Sequence, residues 1–162
     1  MSRGKSGARA IGMGVVACLA VACGGRLPEG LGVREGRLAD CPDSPNCVSS
    51  DARDPGHWIA PIRIEGSPQM AWEGMRVLLA ETPRVEIVRE EDDYLHAVFT
   101  TRIMRYRDDV ELHARPARGE IALRSASRVG YGDMGTNRRR VEQLRAELHR
   151  RGLARPAESE EE

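Results

Sequence analysis

A chain of 162 residues holds one domain of ordinary size once its ends are discounted. Its 25 basic and 25 acidic residues balance, which gives no case for nucleic-acid binding; all the basic residues but Lys5 are arginine, so only arginine placement is informative. Aromatic residues make up 4% of the chain, and Leu, Val, Ile, Ala and Met must therefore supply most of the core.

Residues 1–22 read as an export signal. Arg3, Lys5 and Arg9 precede the apolar run Ala10–Ala22, which is too short to span a bilayer, and Cys23-Gly-Gly follows. The stretch Leu19-Ala-Val-Ala-Cys23 resembles a bacterial lipobox, with Ala20 at the position where leucine usually stands. Cys23 is thus the expected lipidation site, and an ordinary secretory signal with an incidental cysteine is the other reading. Acyl chains on Cys23 would hold the protein to a membrane of the cell envelope, facing the periplasm or the exterior. Gly24 rather than Asp resembles outer-membrane sorting if the cell is Gram-negative. Removing the signal takes away three basic residues and no acid, so 22 basic and 25 acidic residues remain and the mature chain is mildly acidic.

Residues 23–40 hold five glycines and no sustained period, and are expected to form a flexible tether. Cys41-Pro-Asp-Ser-Pro-Asn-Cys47 follows. With Cys18 removed and Cys23 acylated, Cys41 and Cys47 are the remaining thiols in an oxidising compartment, and a disulfide between them is expected. A metal reading would recruit His57, but the spacing matches no common zinc pattern, and neither metal nor cofactor is expected.

The globular part spans residues 41–152. His57–Ile64 reads as an edge strand because of Pro61, and Ser67-Pro68 as an N-cap followed by proline at the first helical position. Trp72, Met75, Leu78 and Leu79 form the apolar stripe of that helix, which Thr82-Pro83 stops. Four strands in series follow. They are Arg84–Arg89, Tyr94–Thr101, Asp109–Arg115 and Glu120–Ser127, with Leu95, Ala97, Phe99, Val110, Leu112 and Ala114 turned inward. Short connections between them predict an antiparallel meander. A last helix carries Val141, Leu144 and Leu148 on one face, an Arg138–Glu142 pair, and Gly152 as terminator. Residues 153–162 end in an acidic run and are expected to be a disordered tail. The fold class is therefore α+β: one antiparallel sheet of about five strands with both helices on its apolar face. Its other face, bearing His96, Glu111, His113, Arg115 and Arg124, is expected to be solvated.

The stretch before the last helix, Ser127-Arg-Val-Gly-Tyr-Gly-Asp-Met-Gly-Thr-Asn-Arg-Arg-Arg-Val141, puts three arginines at a helix start, where the backbone disfavours cations. Arg138, Arg139 and Arg140 need an acidic neighbour or an anionic ligand. This stretch, paired with Cys41-Pro-Asp-Ser-Pro-Asn-Cys-Val-Ser-Ser50, resembles the bacterial and plastid family of domains of unknown function numbered 1499, over about residues 38–150. The resemblance implies an exported or membrane-associated domain and draws attention to Cys41, Asn46, Cys47, Ser127, Arg128, Gly130, Asp133, Asn137, Arg138 and Arg140 without assigning their roles.

Three functions are open at this point. The turn can bind an anionic ligand or partner: Gly132 and Gly135 let backbone N–H groups approach it, and Arg128, Asp133, Asn137, Arg138 and Arg140 form the binding set. Alternatively Asp133 caps the helix and accepts one arginine, Asn137 ties down the turn, and the chain is a structural or assembly lipoprotein with an envelope protein partner. An envelope hydrolase would draw on Ser49, Ser50, His57, His96 and His113, but the sequence holds no nucleophile elbow, metal-ligand pair or phosphate loop, so no catalytic residue is assigned.

Overall fold

The computed structural model describes residues 28–156; the signal, Cys23 and the last six residues of the acidic tail lie outside them. The elements in order are β1 (Cys47–Ser49), β2 (Ile62–Arg63), α1 (Pro68–Glu81), β3 (Val85–Glu90), β4 (Tyr94–Thr100), β5 (Arg107–Arg115), β6 (Glu120–Ser127) and α2 (Thr136–Arg150). The strands form one antiparallel sheet in the order β1-β6-β5-β4-β3, with β2 pairing β6 beyond β1. The fold is α+β, as the alternation predicts, with about six strands rather than five. The difference lies at the β6 edge. Of the strand expected over 57–64 only Ile62–Arg63 pairs with β6, Trp58 and Ile64 forming isolated bridges to Ser49 and Ala154, and Cys47–Ser49 takes the rest of the edge. Segments of two and three residues are too short to carry a legible period.

Each helix boundary follows from local chemistry. Ser67 accepts a hydrogen bond from the Met70 N–H and Pro68 opens α1, while the Thr82 hydroxyl closes it on the Leu78 carbonyl. Helix α2 ends where Gly152 takes φ +72° and the Leu153 N–H returns to the Leu148 carbonyl. Met75, Leu78 and Leu79 of α1 and Val141, Leu144 and Leu148 of α2 pack on Leu95, Ala97, Val110, Leu112, Ile121 and Leu123 of the sheet. Every buried apolar residue of the described chain lies between Leu38 and Ala154, so the domain carries its own core. The boundary at 152 shifts outward. Leu153 packs on the core and Ala154 bridges Ile64, so the start of the expected tail is part of the domain.

The opposite face of the sheet corrects a second expectation. His96, Glu111, His113, Arg115 and Arg124 do share that face, yet all are buried. Residues 32–38, read from sequence as tether, lie over them. The Gly32 N–H donates to Glu111 at 2.7 Å, Arg115 donates to the Gly36 carbonyl at 3.0 Å, and the Leu38 N–H donates to Asp51 at 2.9 Å. Leu38, 3% exposed, packs with Tyr94 and Ala122 in a small second cluster. A glycine-rich stretch can serve as a cover because its backbone supplies the polar groups that the face below needs.

Candidate functional site

The turn between β6 and α2 is held from four sides. Asp133 accepts from the Gly135 N–H at 2.9 Å and the Asn137 N–H at 2.7 Å, so its side chain caps α2, although no arginine reaches it. These contacts, with a further one from the Asn137 amide, outweigh the upward push of burial and hold the Asp133 carboxyl below the usual aspartate range. Gly130 and Gly135 adopt left-handed backbone at φ +93° and +75°, and Met134 does so at +54°; Gly132 does not.

Asn137 is fully buried and links the turn to the rest of the domain. Its amide nitrogen donates to the Asn46 carbonyl and to Ser127 Oγ, and its oxygen accepts from Ser125 Oγ and Arg140 Nη1. Asn46 reciprocates by donating to the Gly130 carbonyl at 2.6 Å. Cys41 and Cys47 form the expected disulfide, and the loop they close ends on Asn46. The two sequence segments singled out above are therefore one hydrogen-bonded unit.

The arginines separate into two groups. Arg128 makes a bidentate pair with Asp109, its Nε at 2.8 Å from Oδ2 and its Nη2 at 2.7 Å from Oδ1, and His96 Nε2 meets the same Oδ1 at 2.7 Å. Burial raises the Asp109 pKa, but these hydrogen bonds and the Arg128 charge win, and it lies below the usual range. Arg140 donates to Asp108 on the opposite face and lies over the Phe99 ring, 4.9 Å from its centroid. Asp108 and Asp109 are consecutive, so the strand sends one to each face, and each takes one arginine. Arg138 and Arg139, by contrast, are exposed. Arg138 donates to the Trp58 carbonyl at 2.9 Å and Arg139 to the Met134 carbonyl at 2.7 Å. The expected Arg138–Glu142 pair is not formed; Glu142 pairs Arg145 at 3.2 Å. Of the five residues read as a binding set, Arg128, Asp133, Asn137 and Arg140 are thus engaged inside the chain, and Arg138 alone is exposed.

No serine–histidine hydrogen bond occurs among the described residues. Ser49 and Ser50 accept from the backbone N–H groups of Asp51 and Leu123, His57 meets the Cys47 carbonyl, and His113 accepts from Arg115.

The β4–β5 loop, residues 101–106, stands beside this turn, because Thr100 pairs Arg107, Asp108 pairs Ser127, and the Arg128 N–H donates to the Arg107 carbonyl. Between the two loops and the start of β3 runs a groove of about 260 Å³ lined by Arg84, Phe99, Thr100, Thr101, Thr136, Arg139 and Arg140, among others. Sequence reasoning missed Arg84 and the threonines, which are brought together only by strand register.

Stability should depend on pH in two steps. Burial, then the Arg115 charge, pushes the His113 pKa below its ordinary value, so the unfolded chain takes up that proton more readily and stability falls as pH drops through about 6.5. Asp51, Asp109 and Asp133 titrate below the ordinary aspartate value; their contribution is complete above about pH 3.9 and is lost as pH falls further. Thermal melts should show a shallow decline below about pH 6.5, removed by His113→Gln, and a steep one below about pH 4. A melting temperature unchanged between about pH 8 and pH 5 contradicts the first step.

These features define a class of small α+β domain in which a disulfide loop and an aspartate-capped turn are locked together by two buried asparagines. The chain belongs to the family described as "Protein of unknown function (DUF1499)", whose model matches residues 37–148. No curated protein and no solved structure matches the chain.

Proposed function

We propose that the chain is a lipid-anchored, extracytoplasmic, non-catalytic domain that binds an anionic ligand or partner at the end of the sheet where the turn before α2 meets the β4–β5 loop. The observation that carries this reading is a surplus of positive charge at that end. Arg107, Arg128 and Arg140 pair with carboxylates, whereas Arg84, Arg102, Arg105, Arg138 and Arg139 are exposed and make no salt bridge among the described residues. Arg84 and Arg139 flank the groove, with threonine hydroxyls between them as further donors for phosphate, sulfate or carboxylate oxygens. The buried residues of the turn set its shape, and the exposed arginines supply its charge. Lipidation at Cys23 rests on the lipobox resemblance and places the domain in the cell envelope.

Thermal stability measured across phosphate, sulfate, glycerol phosphate and glycan carboxylates is the test. An anion at about a hundred times its dissociation constant should add about 2.7 kcal/mol, a shift of several degrees for a domain of this size. Arg84→Asn with Arg139→Ala should abolish the shift while leaving the unliganded melting temperature nearly unchanged; asparagine suits the left-handed backbone at Arg84, φ +62°. If no anion shifts the melt, the charge surplus is not a binding site.

A further inference from the structure

Ten large apolar or aromatic side chains of the described residues are exposed, and six of them stand on the two loops at this end of the sheet. Ile103, Met104 and Tyr106 come from the β4–β5 loop, and Val129, Tyr131 and Met134 from the turn before α2. Ile103 is 85% exposed, Tyr131 77% and Met134 94%, values reached by side chains that nothing in the domain covers. Scattered apolar residues on a surface need no explanation, but their concentration on two neighbouring loops does.

Three observations indicate what covers them. The first is the chemistry around the apolar tips: Arg102, Arg105, Arg138 and Arg139 are exposed without carboxylate partners among the described residues, while Asp108 and Asp109 are buried against Arg140 and Arg128 and the half-buried Asp133 is taken up by N–H groups of its own turn. Apolar and tyrosine tips ringed by cations fit a phospholipid surface, with the tips in the acyl boundary and the arginines at the headgroups. The second is rigidity. Both loops are pinned at their bases, by Thr101 to the Tyr106 N–H and backbone and by Asp133 and Asn46 to the turn, so the tips are presented at no further ordering cost. The third is distance. Residues 32–38 are fastened to the sheet, so only eight residues separate Gly32 from Cys23, a reach of at most about 30 Å.

We propose that these two loops dock the domain on an anionic lipid bilayer, with Ile103, Met104, Tyr131 and Met134 entering the interface and the flanking arginines meeting lipid phosphates. This rests on the reading that this end of the domain binds anions, and it names the anion as the phosphate of a bilayer headgroup. A lipidated Cys23 would then be one of two membrane contacts, and the domain would lie against the surface rather than stand away from it. The loop contact does not need the acyl group, so it can be tested without one.

The experiment is co-sedimentation of the chain from Gly24 to Glu162, which contains the whole described domain and carries no lipid, with two kinds of vesicle: phosphatidylcholine alone, and phosphatidylcholine mixed with phosphatidylglycerol. Binding should appear with the mixed vesicles, weaken as salt is raised, and be absent or at least tenfold weaker with the neutral ones. Ile103→Ser with Tyr131→Ser, and separately Arg102→Gln with Arg105→Asn, should each lower the partition by tenfold or more without moving the melting temperature, since all four side chains are exposed. No binding to mixed vesicles, or binding that both pairs of substitutions leave intact, overturns the proposal. Should soluble anions still stabilise the domain when vesicles do not bind, the functional reading stands and the membrane docking falls. If neither is bound, both fall. If vesicles are ignored and a purified envelope protein is bound only by the unsubstituted loops, the occupant is a protein and the docking proposal is again overturned.

Discussion

Arg128→Ala should lower the unfolding free energy by about 3–5 kcal/mol, a large share of the 5–15 kcal/mol that holds a domain of this size together. The substitution removes both arms of a bidentate pair and leaves Asp109, 1% exposed, with His96 as its remaining side-chain partner. A buried carboxylate without its cation is the costly state, more than the loss of the pair itself. Three comparisons isolate that cause. Arg128→Lys should rescue little, because an ammonium cannot fill both oxygens of the carboxylate at once. Asp109→Ala in the Arg128→Ala background should cost clearly less than the two single changes added together, since the charge that was stranded is gone. Arg138→Ala, which removes an exposed hydrogen bond to a carbonyl, should stay within about 0.5 kcal/mol of the parent. Urea unfolding of the five variants, the single Asp109→Ala among them, decides it; a cost below about 1 kcal/mol for Arg128→Ala means that Asp109 is not dependent on it.

The sequence singled out Arg138, Arg139 and Arg140 for a reason that was half right. Cations at a helix start do require an answer, and the carboxylates that the sequence offered for it were Asp133 and Glu142. The answer lies elsewhere because Asp133 is taken up by three N–H groups of the turn, and the carboxylates that meet the arginines arrive from β5. A signal for this was present. Asp108 and Asp109 open a strand, so one faces each side of the sheet, and a carboxylate buried at either position requires a cation on that side. Arg128 at the end of β6 and Arg140 on α2 are the cations that register and helix phase bring there.

Alternation along β4 and β5 was legible because it repeats over seven and nine residues, and it assigned Leu95, Val110 and Leu112 to the core correctly. What alternation reports is which residues share a face, not what lies on the other side of them. The face bearing His96, Glu111, His113, Arg115 and Arg124 reads as solvated because every one of these is polar. It is covered by a segment that binds mainly through its main chain, and a main chain leaves no composition or period to read. The strand at Cys47–Ser49 escaped for the complementary reason: it is three residues long, and its place is fixed by pairing with Arg124–Ala126 rather than by any pattern of its own.

Glu111→Ala tests the cover directly, and its expected cost is about 3–5 kcal/mol. Glu111 is wholly buried at the centre of the polar face; one carboxylate oxygen accepts from the Gly32 N–H at 2.7 Å and the Tyr94 hydroxyl at 2.8 Å, and the other from Arg124 at 3.2 Å. Burial, with the carboxylate beside it, pushes the Tyr94 phenol far above its usual range, so it remains a donor at any physiological pH. Alanine strands three donors at once, and Arg124 is the worst placed, since its Nε already has no partner. The loss should also be local. With Glu111 gone, the backbone of residues 32–38 keeps only its contacts to Arg115 and Asp51, and trypsin should cut after Arg34 and Arg37 well before the rest of the domain unfolds. Glu111→Gln retains an acceptor for Gly32 and Tyr94 while removing the charge that Arg124 needs, so it should restore protection at Arg34 and Arg37 without restoring full stability. Equal trypsin sensitivity in the parent and in Glu111→Ala would mean that the cover is held by Asp51 and Arg115 alone, and that Glu111 serves the sheet rather than the segment lying over it.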